Sequence, residues 1–342
     1  MYTQLGEASL KDGSRMEIGV VIGPDDEHAD EIKPFLGHKG QPWQRHIEGA
    51  VAGGQDDLET RFYVGKLDEA IITNIMTVEH VGVGILGHVY TTPDRRRVGA
   101  CHAVMQSQMA EFRERGGRCL HLGTGFDSAA YHIYKRNGFG SVIPRSGTMR
   151  YITDDAFLGA YFASRPATAR ELRWADWGPL TALTTSHDGD WLRSVTWRME
   201  GPTNFEGGFL DFREQVSDGD DIMARVLVTD DGARVGVATL APHPLWRETR
   251  LLDVLCHPNF WADAGKLVDA LAPAGKVVTY CDSASADKRA ALVAAGFTAE
   301  AAVSDRVRRT LRPGWRPSDP TADMFDDSAF EDVLLGVTIL VR

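Results

Sequence analysis

The chain has 342 residues, and its 48 acidic and 37 basic side chains give a net charge of −11. An ordinary domain takes roughly 100 to 200 residues, so this length predicts two domains, while the acidic balance opposes a broad nucleic-acid-binding surface. No apolar run approaches the roughly 20 residues that span a bilayer, and residues 1–13 lack the apolar core of a signal peptide, so we expect a cytoplasmic protein without nucleic-acid or membrane partners.

The first predicted elements are a strand and a helix. Met16 to Ile22 is rich in apolar and β-branched residues, which predicts a strand that ends at Gly23-Pro24. Asp25 to Phe35 predicts a helix with acidic residues in its first turn, where the helix dipole favours them.

The segment from Phe35 to His46 is interrupted by glycine and proline, so we expect a loop. It carries His38, Trp43 and His46. Aromatic and imidazole groups in a loop either line a pocket or anchor the loop on the core, and the sequence leaves both possibilities open.

Three strands are predicted next. Arg61 to Lys66 and Ala70 to Thr77 predict an antiparallel pair. Gly82 to Gly87 matches G-x-G-x-x-G, a motif that binds dinucleotides where it joins a strand to a helix. Strand-like residues continue beyond it as far as Pro93, so no helix can begin at Gly87 and a dinucleotide site is not expected.

The end of this strand and the helix after it are the most informative stretch. Residues Ile85 to Thr92 lead into Pro93, three arginines and a turn of small residues, and apolar side chains then recur at helical spacing as far as Phe112. The first N–H groups of a helix have no partner inside it, and the dipole adds positive charge there. A strand that enters a helix through such a turn predicts a phosphate site.

A parallel crossover is predicted after this helix. Arg118 to Thr124 is a short apolar strand that one helix joins to the preceding strand, which implies a parallel, right-handed connection. Asp127 to Asn137 predicts a second helix, with Asp127 or Ser128 as its N-cap and Gly138 as its end.

A hairpin completes the first predicted unit. Phe139 to Ile143 and Thr148 to Ile152 are its expected strands, so a mixed α/β unit ends near residue 153. The boundary is marked by Arg165-Pro166, and we place a linker at 154–168 between domains at 1–153 and 169–342.

The second half repeats the order of the first. Strand, proline, helix, strand, helix and Gly-Phe recur, and Gly296-Phe297 lies 158 residues after Gly138-Phe139, which predicts an internal duplication. The predicted elements are strands at 169–174, 222–229, 234–241, 251–256 and 276–281, and helices at 177–184, 261–271 and 286–295. Near the end, Pro313, Pro317, Pro320 and the acidic run Asp323 to Asp327 predict a surface arm, and Val337 to Val341 predicts a strand that completes a sheet.

The cysteines and the known catalytic motifs exclude several chemistries. Cys101, Cys119, Cys256 and Cys281 lie far apart, and most occupy apolar runs, so we expect free buried thiols. Histidines and acidic residues show no metal-ligand spacing, and neither G-x-S-x-G nor a P-loop occurs. Metal-dependent and serine-hydrolase mechanisms are therefore not expected.

Two motifs together resemble those of the GNAT superfamily of acyl-CoA N-acyltransferases. Arg96-Arg-Val-Gly99-Ala-Cys101 stands where the family has Arg/Gln-x-x-Gly-x-Gly/Ala after a strand and a proline. Asp127 to Phe139 is similar to the family's Asn-x-x-Ala-x-x-x-Tyr helix and the Gly-Phe after it, with Tyr134 at the tyrosine position. The resemblance covers Met16 to Ile152 and implies a twisted mixed α/β sheet that uses acetyl-CoA and no metal.

The resemblance implies a coenzyme site on the strand and the turn. The strand before the turn would part from its neighbour and hydrogen-bond the acyl carbonyl and pantetheine, while N–H groups of the turn would hold the pyrophosphate. The implied coenzyme-binding residues are Val89, Tyr90, Thr91, Arg96, Arg97, Val98, Gly99, Ala100, Cys101 and Asp127. Cys101 is larger than the family's Gly or Ala, and Asp127 carries a charge that would repel phosphate if aimed at it.

The resemblance also implies catalytic roles. Tyr134 stands at the position of a general acid that protonates the coenzyme A thiolate, and Tyr131 is the competing hydroxyl on the same helix. His88, beside the acyl-binding strand, His121, in the next strand, and Glu79, at the entry to the first, are alternative general bases for the amine.

The second half resembles the same fold without its site. Asn259-Phe-Trp-Ala-Asp-Ala264 places aromatic and acidic residues where small anion-binding residues stand in the first half, and no tyrosine matches Tyr134. We therefore interpret it as a degenerate, non-catalytic copy that helps to shape the acceptor cleft.

The function predicted is an N-acetyltransferase that transfers an acetyl group from acetyl-CoA directly to the amine of a small polar molecule, in a monomer or homodimer. An amino sugar, an amino acid or an antibiotic would fit the acidic surface. The alternatives are transfer to a protein amine, a non-catalytic acyl-CoA sensor or scaffold, and another acyl-CoA enzyme such as a decarboxylase.

Overall fold

The computed structural model describes residues 1–311 and 331–342. The strands are β1 (Tyr2–Ser9), β2 (Arg15–Ile22), β3 (Glu59–Leu67), β4 (Ala70–His80), β5 (Val83–Thr91), β6 (Cys119–Gly123), β7 (Gly140–Ser141), β8 (Thr148–Ile152), β9 (Ala167–Glu171), β10 (Leu192–Ser194), β11 (Met199–Glu200), β12 (Met223–Thr229), β13 (Arg234–Pro242), β14 (Thr249–Cys256), β15 (Lys276–Asp282), β16 (Thr298–Leu311) and β17 (Glu331–Val341). The helices are α1 (Ala29–Phe35), α2 (Trp43–Ala52), α3 (Ala100–Glu114), α4 (Ala129–Arg136), α5 (Phe157–Tyr161), α6 (Trp177–Thr184), α7 (Gly207–Ser217), α8 (Ala264–Leu271) and α9 (Ala286–Ala294).

Two mixed sheets flanked by helices form the architecture, which confirms the predicted mixed α/β class. One sheet has the order β1-β2-β3-β4-β5-β6-β8-β7, and the other has the order β16-β17-β15-β14-β13-β12-β9; β10 and β11 form a separate two-stranded sheet. In each sheet a run of antiparallel strands meets a parallel pair, β5 with β6 in the first and β14 with β15 in the second. The predicted parallel crossover between β5 and β6 is therefore confirmed.

The chain divides into two compact units. The first comprises Met1–Gly140, Met149–Asp155 and Arg173–Gly178, and the second comprises Ser141–Thr148, Ala156–Leu172 and Pro179–Arg342. The assignment of residues 1–153 as catalytic and of 169–342 as a degenerate copy remains a prediction.

The core of the first unit is built on α3. This helix buries Val104, Met105, Met109 and Phe112, which form one cluster with apolar side chains of the sheet such as Tyr63. Each fully buried side chain of this size contributes about 1.5 to 3 kcal/mol. The helical spacing that predicted this face is confirmed, and packing thereby fixes α3, whose N-terminus lies at the end of the turn that follows β5.

Two predictions for the N-terminal part are wrong. The first helix begins at Ala29 rather than Asp25, because Asp25 accepts the backbone N–H of His28 at 2.9 Å and closes a turn before the helix. The segment from 35 to 46 is only partly a loop, since α2 begins at Trp43 immediately after Pro42. Proline suits the start of a helix, because its missing N–H would have no helical partner there.

Most predicted elements of the second half are found. The hairpin of β12 and β13 turns at Asp230 to Gly232, as expected, and β17 contains the predicted strand Val337 to Val341 and pairs with β15 and β16. The pattern gives no indication of α7 or β16, nor of β1 in the first unit. The predicted arm with Pro313, Pro317, Pro320 and Asp323 to Asp327 lies outside the described residues.

All four cysteines are free thiols, of which Cys119, Cys256 and Cys281 are buried and Cys101 is half-buried. Across residues 1–311 and 331–342, no helix combines the length and the apolar character of a bilayer span.

Candidate active site

Strand β5 parts from its parallel neighbour soon after it begins. Its ladder with β6 runs from Val83 opposite Cys119 to Ile85 opposite His121, which is three residue pairs. Beyond Ile85, β5 continues to Thr91 in antiparallel pairing with β4. The backbone edge of β5 that faces away from β4 therefore leaves the ladder over its second half, and those N–H and C=O groups can bind a ligand.

A bulge shapes β5 in this second half. The register with β4 shifts between Asn74 and Met76, and His88 adopts a positive φ of 48°. The side-chain amide of Asn74 donates to the carbonyl of His88 at 3.0 Å, so this carbonyl of the bulge is hydrogen-bonded within the chain. Such a bulge bends the strand and redirects its side chains.

The turn after β5 carries the strand directly into α3. Gly99 is the N-cap of α3 with a φ of 98°, and its carbonyl accepts the N–H of Ala103 at 3.0 Å. A Cβ built on Gly99 would meet no heavy atom within 4 Å, so its backbone is open to an approaching group. The N–H groups of the first turn, including those of Ala100 and Cys101, have no partner in the helix and suit a phosphate.

The three arginines of the turn have different surroundings. Arg95 lies 3.6 Å from Asp12 and 3.4 Å from Asp94 in ion pairs. Arg96 is exposed and its Nε donates to the carbonyl of Thr91 at 3.1 Å, which ties the turn to the end of β5. Arg97 is exposed, with a φ of 65°. Arg96 and Arg97 are thus the cations that a phosphate at the turn can reach.

Val98 and Cys101 anchor the turn on the core. The carbonyl of Val98 accepts the N–H of Lys11 at 2.9 Å, and both side chains pack against the core cluster of the first unit. Burial raises the pKa of the Cys101 thiol to about 11. This cysteine is therefore a neutral packing group and not a nucleophile.

Helix α4 begins and ends much as predicted. Ser128 is its N-cap, and the hydroxyl of Ser128 accepts the N–H of Tyr131 at 3.1 Å. Asp127 does not cap the helix: it is half exposed and accepts a hydrogen bond from His132 at 2.8 Å. Gly138 ends the helix with a φ of 89°.

Tyr134 lies in α4 beside the core cluster. It is 7% exposed, and its ring centroid is 6.0 Å from that of Phe139. Tyr131 is also buried. Gln106 of α3 donates to the side chain of Asn137 at 2.6 Å, so α4 is hydrogen-bonded to the helix that carries the turn.

The structure separates two of the three candidate bases from this region. His121 is fully buried beside Cys119, with 3.6 Å between Sγ and Nε2, and burial lowers its pKa to about 3. Glu79 lies opposite Gly84 at the start of β5, and its carboxylate accepts from Arg115 at 2.5 Å. At roughly 3.3 Å per residue, seven residues of strand separate that point from Thr91 by about 23 Å.

His88 is the candidate base that lies at the parted half of β5, in a cluster of aromatic and imidazole rings. Its ring centroid is 5.3 Å from Trp43 and 6.3 Å from His46, and Tyr90 lies 4.1 Å from His38. The ring cluster consists of Phe35, His38, Trp43, His46, His88, Tyr90, Trp174 and Trp177.

Sequence reasoning identifies only part of the ring cluster. The aromatic and imidazole content of residues 35–46 indicates His38, Trp43 and His46 as candidates for a pocket. The position of His88 on the strand before the turn indicates it as a candidate base. Trp174 and Trp177 come after β9, far along the chain, and their apolar pattern predicts only local strand and helix. No local signal places them beside His46.

The second unit has a matching parallel pair of strands, and beyond that pairing another segment of the chain hydrogen-bonds to both strands. β14 pairs with β15 over the three residues Thr249 to Leu251. Beyond them, Asp253 accepts hydrogen bonds from the Ser194 hydroxyl and from the next two N–H groups, at 2.9, 3.0 and 2.7 Å. Asp282 of β15 accepts from the first two N–H groups of residues 191–196, at 3.0 and 2.8 Å. Residues 191–196, the bridging segment, thus span β14 and β15.

No protein-family model and no curated protein sequence matches the chain. Solved structures similar to part of it include an N-acetyltransferase from Staphylococcus aureus Mu50, at 13% identity over 52% of this chain and 98% of that chain, with a TM-score of 0.38. A second is a GNAT superfamily phosphinothricin acetyltransferase from Sinorhizobium meliloti in complex with AcCoA, at 16% identity over 52% of this chain and 88% of that chain, with a TM-score of 0.36. A third is a spermidine N-acetyltransferase from Vibrio cholerae in complex with CoA and spermine, at 11% identity over 52% of this chain and 94% of that chain, with a TM-score of 0.35. Likeness at this level assigns no activity to the chain.

Proposed function

We propose that the first unit is a GNAT-type N-acetyltransferase that transfers an acetyl group from acetyl-CoA to the amine of a small molecule. The observation that carries the proposal is the course of β5, which leaves its parallel ladder at Ile85, bulges at His88 and runs through an open turn into the N-terminus of α3. An extended backbone edge outside the parallel ladder, beside an anion-binding helix start, suits a ligand with an amide-rich arm and a pyrophosphate.

Each part of this stretch has a proposed binding role. The edge of β5 from Val89 to Thr91 hydrogen-bonds the pantetheine arm and polarises the acyl carbonyl. The N–H groups from Val98 to Cys101 hold the pyrophosphate, with Arg96 and Arg97 adding positive charge. Asp127 already pairs with His132, which reduces the repulsion that its carboxylate would exert on phosphate.

Two side chains have proposed roles in proton transfer. Tyr134 is the general acid, because α4 is hydrogen-bonded to α3 and a phenol retains its proton at neutral pH. His88 accepts a proton from the reacting nitrogen, because it is the candidate base that lies on the parted half of β5. His121 and Glu79 are not retained as bases, since the first is sealed beside Cys119 and the second is held by Arg115.

A second candidate function is binding of acyl-CoA without turnover. The depth of Tyr134, which is 7% exposed within the core cluster, favours it, because a buried phenol with a purely structural role would leave the chain a sensor or scaffold. Transfer to a protein amine and another acyl-CoA reaction on this fold remain outcomes that substrate screening would detect.

We propose that the second unit is a non-catalytic copy. Backbone N–H groups of the bridging segment donate to the carboxylates of Asp253 in β14 and Asp282 in β15. The bridging segment therefore lies in the place that corresponds to the open edge of β5 in the first unit. One coenzyme should therefore bind per chain.

Calorimetry with acetyl-CoA, followed by an assay of thiol release with a panel of amines, tests the proposal. Binding at one site per chain and amine-dependent release of free thiol are expected. Absence of acetyl-CoA binding would refute the proposed site, and binding without release for every amine would support the sensor instead.

A further inference from the structure

The buried imidazoles of the ring cluster are not explained by binding of the coenzyme. His46 is 0% exposed, and no group of the described residues hydrogen-bonds either of its ring nitrogens. Nε2 of His88 is buried and without a partner in the same way. Buried polar atoms are nearly always hydrogen-bonded, so these nitrogens indicate a partner outside the described residues, and a bound ligand would supply it.

Exposure across the ring cluster decreases from the surface inward. His38 is exposed and lies against the half-buried Tyr90. Trp43 is half-buried and contacts His88, while Trp177 is buried with its centroid 4.9 Å from His46 in an edge-to-face arrangement. The ring cluster thus extends from exposed His38 to the unpartnered nitrogens of buried His46, and its aromatic surroundings favour a flat aromatic ligand.

At the buried imidazole of His88 the charge of Lys39 opposes a cationic ligand, and the carboxylate of Asp56 accepts the backbone N–H of Trp174 at 3.0 Å. Burial lowers the pKa of His46 and of His88 to about 3, so both rings are neutral at pH 7. Lys39 and the neighbouring histidines lower the pKa of His88 further, and Lys39 also acts on His38. A protonated alkylamine would therefore meet neutral acceptors in the field of a lysine.

We propose that the ring cluster binds the acceptor as an uncharged aromatic amine of the aniline class, with imidazole nitrogens of His46 and His88 as hydrogen-bond partners of its amino group and the aromatic side chains packing against its ring. This inference rests on the proposed acyl transfer and names its substrate class. It replaces the polar acceptor that the acidic surface suggested, because net charge describes the whole chain and the ring cluster presents aromatic and neutral groups.

The chemistry of the step agrees with such an acceptor. An aromatic amine is neutral at pH 7 and needs no deprotonation before it attacks, whereas an alkylammonium has a pKa of roughly 10 and a weakly basic imidazole cannot deprotonate it. The amine nitrogen forms a bond to the acyl carbon, the carbon–sulfur bond breaks, Tyr134 gives its proton to the sulfur and Nε2 of His88 takes the proton from nitrogen. His88 returns that proton to solvent, and Tyr134 regains one from solvent.

Three matched amines test the inference. Aniline, benzylamine and cyclohexylamine separate ring aromaticity from amine basicity, and kcat/KM is measured for each with saturating acetyl-CoA at pH 7. Only about one alkylamine molecule in a thousand is uncharged at this pH, so we expect aniline to be preferred by at least about tenfold. A preference for either of the other two would overturn the inference.

A variant with a matched control locates the effect. His46→Phe keeps a ring of similar shape and removes both nitrogens, so we expect at least a tenfold loss of kcat/KM for aniline with the affinity for acetyl-CoA unchanged. His80→Phe, at the end of β4, should alter neither. Unchanged aniline kinetics in His46→Phe would refute the role of the ring cluster.

Two wild-type measurements keep the inference separate from the proposed function. Aniline should quench tryptophan fluorescence in a saturable way, because three tryptophans belong to the ring cluster. Saturable quenching without acetyl-CoA binding would refute the transferase and retain the aromatic-amine site. Turnover of alkylamines without any aniline effect would retain the transferase and refute this inference.

Discussion

Gly99 is the residue on which the proposed coenzyme site depends most directly. Its φ of 98° lies where L residues are strained by roughly 1 to 2 kcal/mol, and the space in front of it is open. We expect Gly99→Trp to weaken acetyl-CoA binding by at least about tenfold, or roughly 1.4 kcal/mol, because the indole would occupy that space. Calorimetric titration measures the change.

Gly116 supplies the control for this substitution. It lies at the other end of α3 with a φ of 82° and an equally open Cβ position, so Gly116→Trp imposes similar strain away from the turn. Equal affinities in the two variants would contradict a coenzyme site at Gly99.

Tyr134 can be separated from Tyr131 by removing one hydroxyl at a time. Tyr134→Phe should lower kcat by about 100-fold, the lower end of what a general acid supplies, with the Kd for acetyl-CoA unchanged. Tyr131→Phe should retain kcat, because Tyr131 is more deeply buried, at 2% exposed against 7% for Tyr134. Steady-state kinetics and calorimetry on both variants measure this, and equal kcat values would exclude Tyr134 as the acid.

At the scale of elements, β3, β4 and α3 are joined by an ion-pair network, in which Arg61 of β3 lies 2.7 Å from Glu111 of α3. Glu79 is 2% exposed and accepts from Arg115, which is 21% exposed and also lies 2.8 Å from Glu111. Burial raises the pKa of Glu79 even with Arg115 beside it, so the carboxylate is poorly solvated. The network joins strands to helix at the end of β5 remote from the turn.

Removal of Arg115 should therefore destabilise the first unit. We expect Arg115→Met to lower the free energy of unfolding by about 3 kcal/mol, the low end for a broken buried pair because Arg115 is partly solvated. Addition of Glu79→Gln should restore part of this loss, and Arg113→Met, at an exposed position of the same helix, should cost little. Denaturant unfolding measures all three, and a loss in Arg113→Met equal to that in Arg115→Met would contradict the explanation.

The loop between β13 and β14 depends on a neutral histidine. Nδ1 of His243 accepts the N–H groups of Leu245 and Trp246 at 3.2 and 3.1 Å, so its proton is on Nε2, 2.9 Å from the hydroxyl of Tyr280. The ring stacks on Trp246 at 4.2 Å. Burial lowers the pKa of His243, so the fold favours the neutral ring.

The sign of the pH effect is set by this shift. The loop is fully stabilised above the ordinary histidine pKa of about 6.5, and the stabilisation is lost as the pH falls toward the lowered pKa of the folded state. Fluorescence of Trp246 should therefore change below about pH 6.5. A pH titration of the wild type minus that of Trp246→Phe isolates the signal, and a flat difference would contradict the mechanism.

Local patterns predicted the elements that are determined locally. The buried face of α3 and the end of α4 at Gly138 depend on side chains within a turn or two, so spacing alone located them. β1 is an exposed edge strand with little apolar alternation, and α2 begins inside a stretch that glycine and proline marked as a loop. The rings of Trp174 and Trp177 pack near His46, and no local pattern in the sequence connects either tryptophan with it.

At the scale of the whole molecule, the two sheets share a plan. Each has antiparallel strands that lead to a three-pair parallel ladder, and a final pair of strands whose spatial order is reversed relative to the sequence. The repeated order of elements in the sequence agrees with this plan. The two ladders differ in the chain beyond them, because the first unit has an open strand edge there and the second unit has the bridging segment.

The bridging segment yields a prediction for the intact chain. Asp253 is buried and accepts three hydrogen bonds from it, and bonds to a charged acceptor contribute about 1.5 to 3 kcal/mol each without being additive. Asp253→Ala should therefore destabilise the second unit by several kcal/mol, whereas Asp221→Ala, which removes a largely exposed partner of Arg250, should cost under about 1 kcal/mol. Wild type and both variants should bind one acetyl-CoA per chain, because the proposed coenzyme site lies in the first unit. Calorimetry gives the stoichiometry and thermal unfolding gives the stability. Two coenzymes per wild-type chain would show that the bridging segment does not exclude a coenzyme from the second unit.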